Sequence, residues 1–281
     1  MVEANTNTRR KELDATWQDW LKTNLERKCD ALELVEILVK NGFDLFSIRK
    51  HMGDEFPTVR LLDNSKPDYK AIANVRLTRG GLVSNAVKVP TDRVQLYTLE
   101  NFMSEVECDQ IVELTAQHLR RSTVTTGDIK YRTSSTSDLS LIEEPEIVAL
   151  EEKIASTLGI RLPFSEPIQA QRYDVGQEFK KHTDYFQPNS QEYATYAGRA
   201  GQRTWTFMVY LCNCTAGGGT RFWELEKTFL PRKGMAVIWN NLHQDGTPNP
   251  ATLHSGQPVE AGQKIIITKW FRDRGTGPMF Y

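Results

Sequence analysis

The sequence runs to 281 residues, 39% hydrophobic and 25% charged, with 35 basic and 36 acidic side chains and a formal net charge of −1. This composition can bury a core and is not that of a disordered chain, and the charge balance argues against a dedicated nucleic-acid binder or a polybasic membrane anchor. No apolar run approaches the roughly 20 residues of a membrane span, and Cys29, Cys108, Cys212 and Cys214 make neither a disulfide framework nor a CxxC pair.

Residues 1–10 are polar and read as a frayed tail without the apolar stretch of a secretory signal. A cytoplasmic setting with reduced thiols follows as the expectation, with no membrane and no nucleic acid among the partners. Residues 11–53 read as helical. Trp17, Trp20, Leu21 and Leu25 fall at helical spacing. Asp30 and Glu33 have the spacing of an N-cap and its N3 partner, and Ala31, Leu34, Val35, Leu38 and Val39 form one apolar stripe behind them. Asn41 and Gly42 end that helix, and residues 43–52 suggest a third. This helical module is either a packing extension or a unit for partner binding or homo-oligomer formation.

Pro57, Pro67, Gly80, Gly81 and Pro90 punctuate the next stretch, where a short strand over 73–77 is expected and where the domain boundary is placed. Val94, Leu96 and Tyr97 suggest a strand. Ser104 and Glu107 make a capping box before a helix reaching about His118, and Pro145 opens another that stops at Gly159. Beyond Arg161 the chain reads as short strands, over 168–173, 204–211, 220–223, 235–239 and 264–271, between Gly and Pro turns. The expected fold is α+β, mainly β: a double-stranded β-helix (jelly roll) core with supporting helices over 89–281, preceded by a small helical N-terminal module and linker over 1–88.

Three features carry chemistry. His182-Thr183-Asp184 places two ligand-type side chains on one face of a strand, where residues i and i+2 point the same way. His254 can complete a two-histidine, one-carboxylate facial triad of the kind that holds non-haem iron, although alone it reads rather as an ordinary loop histidine. Lys264 opens an apolar strand, where a buried ammonium needs an anion; the alternative is a snorkelling surface lysine. His51, His118 and His243 read as ordinary structural residues. Cys212 and Cys214, two apart on one expected strand, read as packing residues.

In combination these residues resemble the prolyl 4-hydroxylase branch of the iron(II)- and 2-oxoglutarate-dependent dioxygenases. The resemblance covers residues 89–272 and is carried in order by Asn101-Phe102, Glu107-Cys108, Tyr131-Arg132-Thr133-Ser134, Tyr173, Gly176-Gln177, His182 and Asp184. It continues through Gly201-Gln202-Arg203, Tyr210-Leu211, Gly218-Gly219-Thr220-Arg221-Phe222, Pro231, Gly234, Asp245, His254, Pro258-Val259, Gly262, Lys264 and Trp270. It implies that His182, Asp184 and His254 are the iron ligands. It implies that Lys264, Tyr173 and Thr220 bind the far carboxylate of 2-oxoglutarate, that Arg132 and Arg203 are tied to substrate engagement, and that Trp270 lies near the iron and cosubstrate. The cofactors implied are Fe(II), 2-oxoglutarate and dioxygen, with ascorbate as a further expectation. Asp184 disfavours a halogenating relative, which lacks that carboxylate, and Lys264 favours a prolyl over a lysyl hydroxylase, which carries arginine there. The implied function is hydroxylation of prolyl residues in a peptide or protein, coupled to conversion of 2-oxoglutarate to succinate and CO2. The alternatives are hydroxylation of a free amino acid or small metabolite, and a metal-binding jelly-roll scaffold without turnover. The helical module lies outside the resemblance, and the polar segment 186–200 falls where a substrate-covering loop would sit.

Overall fold

Turn and cap chemistry sets the helix ends. The structure is a computed structural model that describes residues 12–43, 45–56, 67–118, 120–121, 133–139 and 144–281. Its contacts divide the chain into two units, residues 1–62 and 63–281. In the first, α1 (Ala15–Glu26) starts where the Asp14 carboxylate accepts from the Trp17 backbone N–H at 3.1 Å. In the same way, Asp30 caps α2 (Ala31–Lys40), accepting from Glu33 N–H at 3.0 Å. Gly42 turns the chain at φ +84°, as the glycine stop requires, and α3 (Leu45–Met52) follows. Leu21, Leu34, Val35, Leu38, Ile48 and Met52 are buried together in this unit, with Trp17 edge-on to Trp20 and Phe43.

The second unit adds α4 (Tyr69–Ala73), α5 (Glu105–Gln117), α6 (Pro145–Leu158) and the single turn α7 (Gly198–Ala200). The capping box on α5 is present in both directions: Ser104 Oγ accepts from Glu107 N–H, and the Glu107 carboxylate accepts from Ser104 N–H. Pro145 begins α6 and Gly159, at φ +78°, ends it. The anticipated strand over 73–77 is instead the end of α4 and a 3₁₀ turn, Arg76–Thr78. Here Asp68 caps the helix by accepting from Ala71 N–H at 3.0 Å, and Trp205 Nε1–H donates to the Ile72 carbonyl at 2.8 Å. Residues 67–88, which the sequence alone groups with the N-terminal module, thus carry Ile72, Val75 and Leu77 into the core of the second unit.

Fourteen strands occur among the described residues: β1 (Ala86–Lys88), β2 (Leu96–Leu99), β3 (Arg120–Arg121), β4 (Ser135–Asp138), β5 (Gln169–Tyr173), β6 (Phe179–His182), β7 (Arg203–Tyr210), β8 (Ala216–Gly217), β9 (Thr220–Phe222), β10 (Lys227–Phe229), β11 (Ala236–Asn240), β12 (His254–Gly256), β13 (Val259–Ala261) and β14 (Lys264–Arg272). All their pairings are antiparallel. An eight-stranded sheet runs β1-β2-β11-β7-β14-β5-β4-β3, a four-stranded sheet runs β10-β9-β12-β6, and β13 pairs β8.

Strand alternation sorts side chains into two layers. Trp205, Phe207 and Val209 of β7, with Ala236 and Ile238 of β11, pack against Cys108 and Ile111 of α5 and Ile147, Leu150 and Ile154 of α6. The intervening Met208, Tyr210, Val237 and Trp239 face the other way, onto Phe222 and Phe229 of the four-stranded sheet. Helices therefore cover one face of the large sheet and the small sheet covers the other, the jelly-roll arrangement expected. Cys212 and Cys214 lie past the end of β7 in a turn, not on a strand, and their thiols meet the carbonyls of Gln263 and of Ala216 and Ala261. No helix among the described residues is long and apolar enough to cross a membrane.

Candidate metal and cosubstrate site

The site is assembled across the small sheet. His182, the last residue of β6, stands opposite His254, the first of β12, in the antiparallel register. Their rings lie 4.2 Å apart. Each Nδ1 meets a backbone carbonyl, Lys180 O at 2.7 Å and Thr252 O at 2.9 Å. A carbonyl only accepts, so each Nδ1 carries the proton and Nε2 is the ring nitrogen with the lone pair. Both Nε2 atoms point to one oxygen: Asp184 Oδ1 lies 3.8 Å from His182 and 3.9 Å from His254. The three donor atoms fall within 4.8 Å of one another. Aromatic rings hold the imidazoles, Phe179 stacked on His182 at 3.6 Å and Trp239 edge-on to His254 at 5.0 Å.

Burial opposes the charge on Asp184, but His254 and His182 when protonated, the Arg203 guanidinium and the Thr206 hydroxyl outweigh it and hold the carboxyl of the metal-free site below its ordinary range. Thr206 Oγ1 donates to Asp184 Oδ2 at 2.7 Å. Arg203 makes a bidentate pair with Glu166, Nε to Oε1 at 2.6 Å and the terminal nitrogen to Oε2 at 2.7 Å. Its guanidinium lies 4.1 Å from the Trp270 ring centre. Burial likewise opposes ionisation of Glu166, and Arg203 and Arg272 reverse that effect.

Deeper in the same layer Lys264 is 2% exposed. Its Nζ lies 3.4 Å from Thr220 Oγ1 and near the rings of Tyr173 and Tyr210, at 5.3 and 5.7 Å. Among the described residues no carboxylate pairs with it. Burial therefore pushes its ammonium down to about 8, only partly offset by the nearby Cys214 and Cys212. Gly256 faces this nitrogen: a Cβ there would sit 3.3 Å from Nζ. Gly256 and His254 share a face of β12, two residues apart, a rise of about 6.6 Å. That is a span a five-carbon diacid can bridge.

The structure thus brings together His182, Asp184, His254, Lys264 and Thr220, with Tyr173 opposite Lys264 in the β5–β14 register. The Tyr173 hydroxyl donates to Gln171 Oε1 at 2.8 Å. Arg203 and Trp270 stack on each other beside Asp184, to whose carbonyl Arg203 donates at 3.4 Å. Arg132 lies outside the described residues. In segment 186–200, Phe186 is tied by its backbone to the Gln202 side chain, and Tyr193–Ala197 forms a π-helical turn whose Tyr196 carbonyl accepts from Arg272.

Sequence reasoning missed Thr206, Tyr210 and Glu166 as site residues. Tyr210 donates to Thr220 Oγ1 at 2.7 Å beside Lys264. Its alternation with Thr206 and Met208 along β7 was the available signal.

The fit to an iron(II) centre and a dicarboxylate rests on these donors. Two neutral imidazoles and one carboxylate on one face suit ferrous iron with positions left for other ligands. The buried ammonium, which meets no carboxylate among the described residues and has hydroxyls and a glycine around it, suits an organic acid.

Residues 168–272 match the model of the 2OG-Fe(II) oxygenase superfamily. The chain is 34% identical over 211 residues to "Probable prolyl 4-hydroxylase 4" of Arabidopsis thaliana, covering 66% of this chain and 69% of that protein. It is 33% identical over 181 residues to "Prolyl 4-hydroxylase subunit alpha-3" of Homo sapiens, covering 62% of this chain and 33% of that longer protein. Among solved structures it is similar to a viral collagen prolyl hydroxylase from Paramecium Bursaria Chlorella virus-1 in its 2OG complex. That similarity has a TM-score of 0.52 and 26% identity, over 64% of this chain and 96% of that one. On this family match and these identities, the chain belongs to the 2OG-Fe(II) oxygenase superfamily, among its prolyl 4-hydroxylase-like members.

Proposed function

We propose that the chain hydroxylates prolyl residues in a peptide or protein. The observation that carries this reading is the convergence of three metal donors, from the end of β6, the residue just past it and the start of β12, two residues along β12 from a buried ammonium that meets no carboxylate among the described residues. His182 and His254, through Nε2, and Asp184, through Oδ1, are the residues that would hold iron(II). Lys264 and Thr220 would hold the distal carboxylate of 2-oxoglutarate, with Tyr173 and Tyr210 walling that end. When bound, these groups supply the oxidation, in which 2-oxoglutarate and dioxygen give succinate and CO2 and one oxygen atom enters a substrate C–H bond.

The chain's own contribution is placement and exclusion of water. The backbone carbonyls of Lys180 and Thr252 hold the imidazole tautomers, and Phe179, Phe222 and Trp239 surround the rings with apolar surface. Glu166 holds the Arg203 guanidinium over the Trp270 ring, a platform beside Asp184 assigned to substrate. A peptidyl proline is favoured as substrate by the prolyl hydroxylases among the relatives. Ascorbate as a reductant belongs to the same reading. So does a reducing compartment, which the four free thiols support.

The test is succinate release with iron(II), 2-oxoglutarate and a set of proline-containing peptides, set beside free proline. Peptide-dependent release and a gain of one oxygen on proline are expected, both lost in His182→Ala and Asp184→Ala. Turnover of free proline alone would reassign the substrate. Unchanged release in both variants would remove the metal assignment.

A further inference from the structure

The carboxylate of the triad has two oxygens, and the structure gives them different tasks. Oδ1 faces both histidines, while Oδ2 accepts a hydrogen bond from Thr206 at 2.7 Å. The Thr206 oxygen in turn accepts from Asn241 Nδ2 at 2.9 Å, and Asn241 Oδ1 accepts from Trp239 Nε1–H at 3.0 Å. Thr206 and Trp239 are paired across β7 and β11, and Asn241 lies two residues beyond Trp239. Thr206 and Asn241 are fully buried and Trp239 is 1% exposed, so each link is shielded from water.

The polarity of this chain is fixed by its far end. An indole N–H only donates. The Asn241 carbonyl must therefore face Trp239, and its amide must face Thr206. The Thr206 oxygen is then occupied as an acceptor, and its hydrogen is left for Asp184. A carboxylate receiving that hydrogen on Oδ2 presents Oδ1 alone to an ion between the histidines. An unmade bond anywhere along the chain leaves a buried polar atom unpaired, so the arrangement is cooperative.

We propose that Trp239, Asn241 and Thr206 form a directional relay that fixes Asp184 as a single-oxygen metal donor, making Thr206 and Asn241 positioning residues for the metal. The proposal rests on the reading of Asp184 as a metal ligand. The relay runs from the large sheet to the residue just beyond β6, and so sets the carboxylate against the His182–His254 pair before an ion arrives.

The experiment is a manganese(II) titration of the metal-free full chain, followed by EPR of the free ion, with the thermal midpoint of each variant measured alongside. Thr206→Val keeps the shape and removes the hydroxyl; its Mn(II) dissociation constant is expected to rise about 10- to 100-fold. Thr206→Ser restores the hydroxyl and is expected to stay within about threefold of the parent. Asn241→Asp puts a second acceptor opposite Thr206 and draws its hydrogen away from Asp184, so affinity is expected to fall as in Thr206→Val. Should Thr206→Val not fold, Asn241→Asp decides by the same titration. Parental affinity in the variant that decides overturns the relay, as does an equal loss in Thr206→Ser and Thr206→Val. Asp184→Ala separates the two levels. If it still binds Mn(II), the metal assignment itself falls; if it does not while Thr206→Val binds normally, only the relay falls.

Discussion

The two ends of the site are built on opposite electrostatic plans. At the metal end every charge has protein company: Asp184 lies between two imidazoles, with the Arg203 guanidinium and a hydroxyl at hand, and Arg203 is matched by Glu166. At the other end Lys264 is buried with hydroxyls and aromatic rings but no carboxylate among the described residues. The first end is organised in advance by the fold. The second is organised to be completed by an anion. The difference teaches where stability and function part company: removing a matched charge damages both, whereas removing the unmatched one is expected to damage only function.

Lys264→Met gives the largest effect that breaks this comparison. Truncating a charge that meets a buried carboxylate costs about 2–5 kcal/mol. The 2-oxoglutarate requirement is therefore expected to rise roughly 30-fold or more, with the metal requirement unchanged. Burying the ammonium, whose ordinary value of 10.5 falls to about 8, corresponds to a penalty of roughly 3 kcal/mol in the ligand-free protein. The same variant should therefore melt higher than the parent when both are ligand-free, and a lower midpoint would show that Lys264 is compensated after all.

A pH series sharpens the contrast at intermediate size. The folded chain holds the Lys264 proton less tightly than the unfolded chain, with a value near 8 against 10.5. The destabilisation is thus complete below pH 8 and is relieved as pH rises from 8 to 10.5. Anion binding runs the other way. It needs the ammonium, so 2-oxoglutarate affinity measured by calorimetry is expected to fall by about tenfold for each pH unit above 8. Lys264→Met should lack that slope.

Gly256→Ala gives the smallest effect. A methyl group there would stand 3.3 Å from Lys264 Nζ, at the flexible end of the side chain. Overpacking of about 1 kcal/mol, close to a fivefold weaker hold on 2-oxoglutarate, is expected without change in metal affinity. A larger loss of metal binding than of 2-oxoglutarate binding would show that the two ends are not independent along β12.

Part of the site and much of its framework were legible because they are local in sequence. The Ser104–Glu107 box and the Pro145 and Gly159 helix limits each state their geometry within a few residues, and the His182–Asp184 spacing keeps both donors together although β6 ends at His182 and Asp184 lies past it, not on the expected strand. Residues 73–77 misled because a run too short to show a period cannot separate a strand from a helix end, and the Asp68 cap decided for the helix. Thr206, Glu166 and Asn241 stayed hidden for another reason. Thr206 meets Asp184 from 22 positions away, Arg203 meets Glu166 from 37, and Asn241 meets Thr206 from 35. Taken singly they are ordinary strand and loop residues, and only the fold brings them to one place.

The position of β6 has a mechanical consequence. It forms one margin of the four-stranded sheet and among the described residues pairs only with β12. An ion shared by His182 and Asp184 on one side and His254 on the other would rivet that margin to its neighbour. Loading the cation and fastening the sheet border are then one event, and an emptied centre would leave the same border the first seam to open.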